Sequence, residues 1–371
     1  MHNLTIGIDG RALYGKRAGI GHYVYHLCKE LDGLLPNAQF IVYSQWPIEL
    51  PISSERWILR VDRFPLAKYM KPVLWLKTRC GKLCKQDELD VFWAAATLLP
   101  KLGRSVRTVC TVYDLNYVVV PETMTTTHRL SYQLFFERDV ASADKVISIS
   151  HGTAQRLEDL VGRASDAIIQ PSVDKCFRPQ SKKDIQDCLA LYGIDSPYIL
   201  AVATWEPRKN LELLIKTFIN MKADGLLPNH RLVLVGGRGW KDQRLVSLAT
   251  SDCKQNILPL GYVPDEHLPP LYAGADVFVF PSLYEGFGIP VLEARACGTR
   301  VVTTDLPELR EAGGSDAIYV KPSYDDLRRG IMYALSQPTP RSTSNLPSWN
   351  SCAKLMAEVI ADSAQPGRAH S

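Results

Sequence analysis

No stretch of this 371-residue chain stays apolar for the roughly 20 positions that a bilayer-spanning helix needs. Its opening, MHNLTIGIDGRALYG, lacks the charged segment and apolar core of a secretory leader. These absences predict a protein that is soluble or rests on a membrane surface. Charge of one sign is also scarce, since 43 basic against 39 acidic residues leave a formal +4. That imbalance suits anionic small molecules or an anionic membrane and is too weak to argue for nucleic acid. The nine cysteines include no Cys-x-x-Cys pair and no zinc-ligand spacing, so they read as reduced thiols of a cytoplasmic chain. Internal repeats and low-complexity tracts are absent too.

What remains is an ordinary globular composition, 46% hydrophobic and 22% charged, long enough for about two domains. Short runs rich in β-branched residues recur at 4–9, 39–44, 90–95, 107–114 and 145–150 and read as strands. Between them, 21–35 and 129–143 carry the periodicity of amphipathic helices. The pattern restarts with strands at 198–203, 231–237, 256–261, 276–281, 299–304 and 317–322, with helices at 210–225 and 290–298. Strand and helix in alternation predict α/β architecture, two doubly wound parallel sheets covered on both faces. The polar stretch 172–198 reads as the connection between two domains. A final helix is expected over 348–364, followed by a disordered QPGRAHS tail.

The stretch FVFPSLYEGFGIPVLEARACG, 278–298, carries the clearest chemistry. A buried strand leads into a loop with Gly286 and Gly288, and Pro290 stands where a helix should begin, its φ already suited to the first turn. Without Cβ atoms, the loop glycines let backbone N–H groups approach a ligand, and a helix N-terminus favours phosphate. Glu285 precedes this corner, and Glu293 is expected in the first helical turn. Carboxylates flanking a phosphate corner suit a ligand with hydroxyls at both ends and phosphate between, a sugar nucleotide. Acidic residues capping a plain strand–loop–helix connection would give a similar pattern. Upstream, AVATWEPRKNLELLIKTF sets Arg208 and Lys209 at a helix entrance, where two cations suit a diphosphate. LVLVGGRGW, which includes Gly237, ends a strand in a second close-approach loop.

With EPRKN, VGG and the Glu-x7-Glu pair in this order, the chain resembles the retaining nucleotide-sugar glycosyltransferases of family 4. The likeness covers nearly the whole chain and is strongest over 198–322. It implies the GT-B fold, two Rossmann-like domains facing across a cleft. An acceptor-side domain would occupy 1–180 and a donor-binding domain 181–345, with helix 348–364 packing back on the first. The resemblance also implies that Glu293 holds the nucleotide ribose and Glu285 a hydroxyl of the donor sugar. Gly286, Phe287 and Gly288 would offer backbone N–H groups, Arg208 and Lys209 would meet the diphosphate, and the backbone at Tyr262 and Val263 would meet the base. KRAGIGHYVYHL matches the family's first glycine loop, so Gly19 and Gly21 would border donor phosphate and acceptor.

One position departs from the family. Where its members often carry His-Asp after a first-domain strand, this chain has Tyr113 and Asp114. A phenol can bond a sugar hydroxyl but cannot become cationic near neutral pH. The expected reaction is retaining transfer, in which the leaving phosphate takes the acceptor proton. No Asp-x-Asp occurs, so neither a metal nor another cofactor is expected. The opening and the TWEPRKN segment resemble bacterial enzymes of surface polysaccharide and O-antigen synthesis. This favours GDP-mannose or GDP-rhamnose as donor and a glycan or lipid-linked acceptor. A UDP- or dTDP-sugar enzyme is the alternative within the family, and a non-catalytic sugar-nucleotide-binding subunit the alternative of another class. A nicotinamide dehydrogenase is disfavoured because GIGHYV has Val24 where the dinucleotide fingerprint has its third glycine.

Residues 68–85, KYMKPVLWLKTRCGKLCK, contain six cations and no acid. On a helical wheel Lys68, Lys71, Arg79, Lys82 and Lys85 share a face with Trp75, opposite Tyr69, Met70, Val73, Leu74, Leu76, Cys80, Leu83 and Cys84. This segment is either a domain helix with a solvated basic side or a contact for anionic lipid on the inner face of the cytoplasmic membrane.

Overall fold

Strands such as VFWA and VFVF have no polar side, so both of their faces must be covered. The computed structural model, which describes residues 3–15, 19–237, 239, 256–338 and 346–364, meets that demand twice. One unit comprises Met1–Tyr117, Thr126–Ser172 and Pro347–Ser371, and the other Val118–Thr125 and Val173–Leu346.

The first unit holds β1 (Thr5–Asp9), β2 (Gln39–Ser44), β3 (Trp57–Val61), β4 (Val91–Ala94), β5 (Arg107–Val112), β6 (Lys145–Ser148) and β7 (Ala167–Ile168). They form a parallel sheet in the order β3-β2-β1-β4-β5-β6-β7. The second holds β8 (Tyr198–Val202), β9 (Arg231–Val235), β10 (Ile257–Gly261), β11 (Val277–Phe280), β12 (Val301–Thr304) and β13 (Ile318–Val320), ordered β10-β9-β8-β11-β12-β13. Every strand expected from the sequence is present, shortened by a residue or more at most ends. Two were not expected. β7 has only two residues, and β3 is an edge strand on which only Trp57 is buried, although its sequence WILRV is mostly apolar.

Helices α1 (Gly19–Leu34), α2 (Pro72–Trp75, Leu76–Cys80 and Gly81–Cys84 in succession), α3 (Thr126–Ser142) and α4 (His151–Val161) belong to the first unit. The second contains α5 (Lys182–Leu191), α6 (Leu211–Ala223), α7 (Leu268–Gly274), α8 (Ile289–Ala296), α9 (Pro307–Gly313) and α10 (Tyr324–Ser336). The chain then returns to the first unit as α11 (Trp349–Ala364), whose Cys352, Ala353, Met356 and Ile360 form its buried stripe. Its Trp349 stacks on His26 of α1 at 4.8 Å and meets the edge of Tyr23 at 5.9 Å. The expected tail 365–371 lies outside the described residues.

Two expectations need correction. The stretch read as a connection folds in part as α5, capped by the Ser181 hydroxyl, which accepts from the Asp184 amide at 3.1 Å. Its apolar residues pack on α7, and the chain crosses between units at Ser172/Val173.

The second correction concerns 68–85. The helix begins only at Pro72, and the five-residue π-turn Leu76–Cys80 shifts its faces from those of a 3.6-residue wheel. Trp75, expected on the basic face, is fully buried and donates from Nε1 to Asp62 at 3.0 Å. Arg79 donates to the same carboxylate from Nε at 2.5 Å and Nη2 at 2.9 Å. Lys77 pairs with Asp139 and donates to the Leu99 carbonyl at 2.8 Å. Conversely Tyr69 and Leu74, expected in the core, are 75% and 52% exposed.

At Gly81 a Cβ would lie 2.0 Å from the Lys101 carbonyl oxygen. Backbone cannot give way as a side chain can, so Gly81→Ala should lose about 1–3 kcal/mol by overpacking. A urea midpoint lowered at constant slope is the expected measurement. An unchanged midpoint would show that the Lys101 loop moves freely.

Candidate functional site

Strand order in the second sheet reverses between β8 and β11, the position at which open α/β sheets hold ligands beyond their carboxyl ends. The loop after β8 carries Glu206, Arg208 and Lys209, and the loop after β11 carries Glu285. Two bonds join these loops before any charge is considered. The Leu283 amide donates to the Arg208 carbonyl at 2.8 Å, and Asn210 Nδ2 donates to the Pro281 carbonyl at 3.2 Å. Asn210 has φ of 53°, a left-handed turn that asparagine tolerates, and it leads into α6.

The charged groups then meet. Lys209 Nζ lies 2.6 Å from Glu285 Oε1, and Arg208 Nη1 lies 2.7 Å from Glu285 Oε2. Nη1 also donates to the Tyr284 carbonyl, and Nη2 donates to Glu206 Oε1 at 2.7 Å. Glu285 and Glu206 are both buried, while the two cations are half-buried. Two positive and two negative groups make a neutral tetrad. Burial acts to raise the Glu285 carboxyl, but Arg208 and Lys209 overcome it and hold the group at about 2. Burial and the neighbouring Arg208 push Lys209 below the usual lysine range, against the pull of both glutamates.

Glu293 lies elsewhere. Because α8 begins at Ile289, Glu293 falls in its second turn rather than the first, which corrects the expected position. It faces α7, where Tyr272 donates its hydroxyl to Oε2 at 2.8 Å. Burial raises this carboxyl to about 7 against the opposing Tyr272 bond, and Asp265 adds to the rise. Between the glutamates, Gly286, Phe287 and Gly288 are all buried. Gly288 precedes α8 with φ of 105°, and a Cβ there would meet Leu309 Cδ2 at 2.5 Å. Glycine is required at that corner on both counts.

After β9, Gly236 packs so closely that a Cβ would lie 1.9 Å from the Ala203 carbonyl oxygen, whereas Gly237 has open space at its Cβ position. Gly237 accepts from the Trp205 amide at 3.0 Å, which joins this loop to the one bearing Arg208. After β10, Val263 is buried and Tyr262 is 51% exposed. The structure therefore brings together Arg208, Lys209 and Glu285, and joins the Gly237 loop to them.

In the first unit, Gly19 and Gly21 form the first turn of α1 rather than a loop, and the preceding 16–18 lie outside the described residues. Tyr113 is buried, donates its hydroxyl to the Ala95 carbonyl at 2.7 Å and packs edge-on against Tyr23 at 5.6 Å. That engagement corrects its expected part in the chemistry, because its only proton donor is already used in the core. Asp114, half-buried after β5, accepts from the Asn116 amide at 3.1 Å and Nδ2 at 2.9 Å. Two site residues were not read from the sequence. Glu206 stood inside the EPRKN segment beside the cations, whereas nothing local marks Tyr272 of LPPLYAG.

Two Rossmann-like parallel sheets, the second with a charged site at its switch point, define a doubly wound α/β protein. Residues 192–346 match the family model "Glycosyl transferases group 1". The O-antigen chain mannosyltransferase B of Escherichia coli is 29% identical over 262 residues, 67% of this chain and 68% of that protein. The serotype-specific mannosyltransferase WbdA of Escherichia coli is 33% identical over 213 residues, 54% of this chain but only 25% of its own length. The crystal structure of WaaG, a glycosyltransferase involved in lipopolysaccharide biosynthesis, superposes with TM-score 0.71 at 18% identity, covering 97% of this chain and 98% of that one. Residues 192–346 thus resemble a glycosyltransferase domain, on a chain whose fold is GT-B-like, and the relatives support a hexosyltransferase.

Glu293 generates a stability prediction. Its carboxyl is raised in the folded state, so the native protein binds more protons than the unfolded chain between about pH 4.5 and 7. Stability from this group is full below 4.5 and is lost as pH rises through 7. Glu293→Gln should remove that slope and be more stable than the parent above pH 7 by about 1–3 kcal/mol. Urea melts at pH 5 and 8 check it, and equal slopes in parent and variant would show a carboxyl that titrates normally.

Proposed function

We propose that this protein is a retaining glycosyltransferase that moves mannose, or its deoxy relative rhamnose, from a GDP-linked donor. The acceptor is a glycan or lipid-linked saccharide of bacterial surface polysaccharide, O-antigen included, met at the inner face of the cytoplasmic membrane. The reading is carried by one observation, the ionised Glu285 held between Arg208 and Lys209 at the switch point, eight residues before the cation-free Glu293. The relatives named for mannosyl transfer support the choice of sugar.

In this reading Glu293 accepts bonds from the ribose hydroxyls and Glu285 orients a hydroxyl of the donor sugar. As the anomeric bond breaks, negative charge grows on the leaving diphosphate while the sugar becomes oxocarbenium-like. Arg208 and Lys209 lie where that charge would develop, and Gly286, Phe287 and Gly288 add backbone N–H groups at the start of α8. Both cations are paired in the resting site, so they are preorganised and need no solvent reorganisation to act. The acceptor attacks from the face the phosphate leaves, and the phosphate oxygen takes its proton. Asp114 remains the first-unit candidate for an acceptor hydroxyl, and the base meets the backbone near Tyr262 and Val263. No metal is assigned a role, so chelation by EDTA should leave turnover unchanged.

Thermal shift against GDP, UDP and dTDP, followed by donor turnover, tests the proposal. GDP should raise the melting temperature most. Lys209→Ala should retain the fold and lose about 10²-fold or more in kcat/KM, as with loss of one transition-state donor. Preference for UDP or dTDP would transfer the reading to another donor. Nucleotide binding without turnover of any sugar would select a non-catalytic subunit.

Nucleotide affinity should also depend on pH. Ribose hydroxyls bond the ionised Glu293 more strongly than its neutral acid, which keeps fewer acceptor sites, so GDP binding should weaken as pH falls below about 7. Glu293→Ala should lose that dependence together with roughly 1.5–3 kcal/mol of affinity. Calorimetry at pH 6 and 8 reads both, and unchanged affinity in a folded variant would remove Glu293 from the site.

A further inference from the structure

The faces of segment 63–85 differ from those its sequence pattern predicts, and the difference exposes an unusual surface on the first unit. Arg79 and Lys77 are neutralised by Asp62 and Asp139. Arg63, Lys68, Lys71, Lys82 and Lys85 remain exposed, and no acidic residue occurs from 63 to 85. Four large apolar side chains are exposed beside them in sequence: Phe64 (41%), Leu66 (60%), Tyr69 (75%) and Leu74 (52%).

This surface is held in place. Gln45, itself buried, donates from Nε2 to the carbonyls of Ala67 and Met70 at 3.1 and 2.9 Å. Trp46 donates its indole N–H to the Lys68 carbonyl at 3.1 Å and stacks on exposed Tyr14 at 4.1 Å. Arg79, clamped by Asp62, sits over the Phe64 ring at 4.3 Å. The outward side chains therefore ride on a fixed backbone, and projecting them costs no ordering when a partner arrives.

We propose that Phe64, Leu66, Tyr69 and Leu74, with the exposed cations of 63–85, form a docking surface that inserts into the headgroup layer of an anionic bilayer. The proposal rests on the membrane location given under Proposed function and names the surface responsible. Apolar side chains among exposed lysines match the acyl boundary and phosphate layer together. Tyr14 and Trp46 are amphipathic aromatics of the kind that settle at that depth. A protein partner of opposite charge would match the lysines but would not require four projecting apolar groups.

Cosedimentation of the full chain with vesicles of 30% phosphatidylglycerol in phosphatidylcholine, and of phosphatidylcholine alone, tests this. Binding should need the anionic lipid and weaken with salt. Each cation at the surface is worth about fivefold, so Lys68→Glu/Lys71→Glu should reduce partitioning by well over tenfold. Leu66→Ser/Leu74→Ser should also reduce it by at least about tenfold. These four residues are exposed, so both variants should melt like the parent. Brominated lipids should quench tryptophan fluorescence in the parent and not in the leucine variant. Equal binding to both vesicle types, binding indifferent to the leucine changes, or lysine-independent binding would each overturn the proposal. So would self-association lost in the leucine variant. Donor hydrolysis in lipid-free solution is measured in parallel: its absence in the parent counts against the proposed transferase, while vesicle binding reads the surface alone.

Discussion

Burying a carboxylate between two strand-end loops is tolerable only if cations accompany it, and Glu285 meets that condition through Arg208 and Lys209. The pairings add to the Leu283 and Asn210 bonds that hold the loop after β8 against the loop after β11. They also draw in Glu206, which balances the second charge of Arg208 and leaves the cluster neutral. The helix α8, its glycine corner and the Gly237 loop all take their positions beside this cluster. A phosphate arriving there would meet donors already aimed, although each is shared with a carboxylate. That sharing sets the electrostatic character of the site: strong local fields with no net excess charge.

The two glutamates of the motif differ only in what surrounds them. Both feel burial as a force toward the neutral acid. Glu285 has two cations within hydrogen-bond distance and remains ionised down to about pH 2. Glu293 has a phenol and a nearby aspartate, and its proton is held to about pH 7. Such perturbed groups cluster at functional sites, and buried structural ion pairs produce them as well. Here the separation follows from helix phase, since starting α8 at Ile289 turns Glu293 toward Tyr272 and away from the cluster.

In the first unit, burial decided several assignments against the sequence pattern. Tyr113 occupies the position where a ligand-facing group was expected, yet Ala95 and Tyr23 accept it into the core. Asp62 captures Trp75 and Arg79 together, which fixes Trp75 inward while its neighbour Leu74 stays exposed. The fold itself was far more legible. Eleven strands and the helices α1, α3, α6, α8 and α11 showed in runs of β-branched residues and 3.6-residue periodicity, because covering both faces of a parallel sheet leaves that mark on the chain, whereas α4, α5, α7, α9 and α10 were not read. Edge strand β7, with two residues, left none, whereas β3 sits in the mostly apolar run WILRV that the pattern reading passed over.

The amino-acid sequence by itself determined the two parallel sheets, the glycine corner before α8, and the nearness of Arg208, Lys209 and Glu285 to strand ends. These depend on local periodicity and on backbone conformations that particular residues permit. Only the tertiary structure decided which charges are paired and which are exposed. Lys77 is neutralised by a residue 62 positions away, and Glu293 is turned toward a tyrosine on another helix. Such partners meet because strands and helices pack, and the energy of a charge depends on its final neighbours and its distance from water.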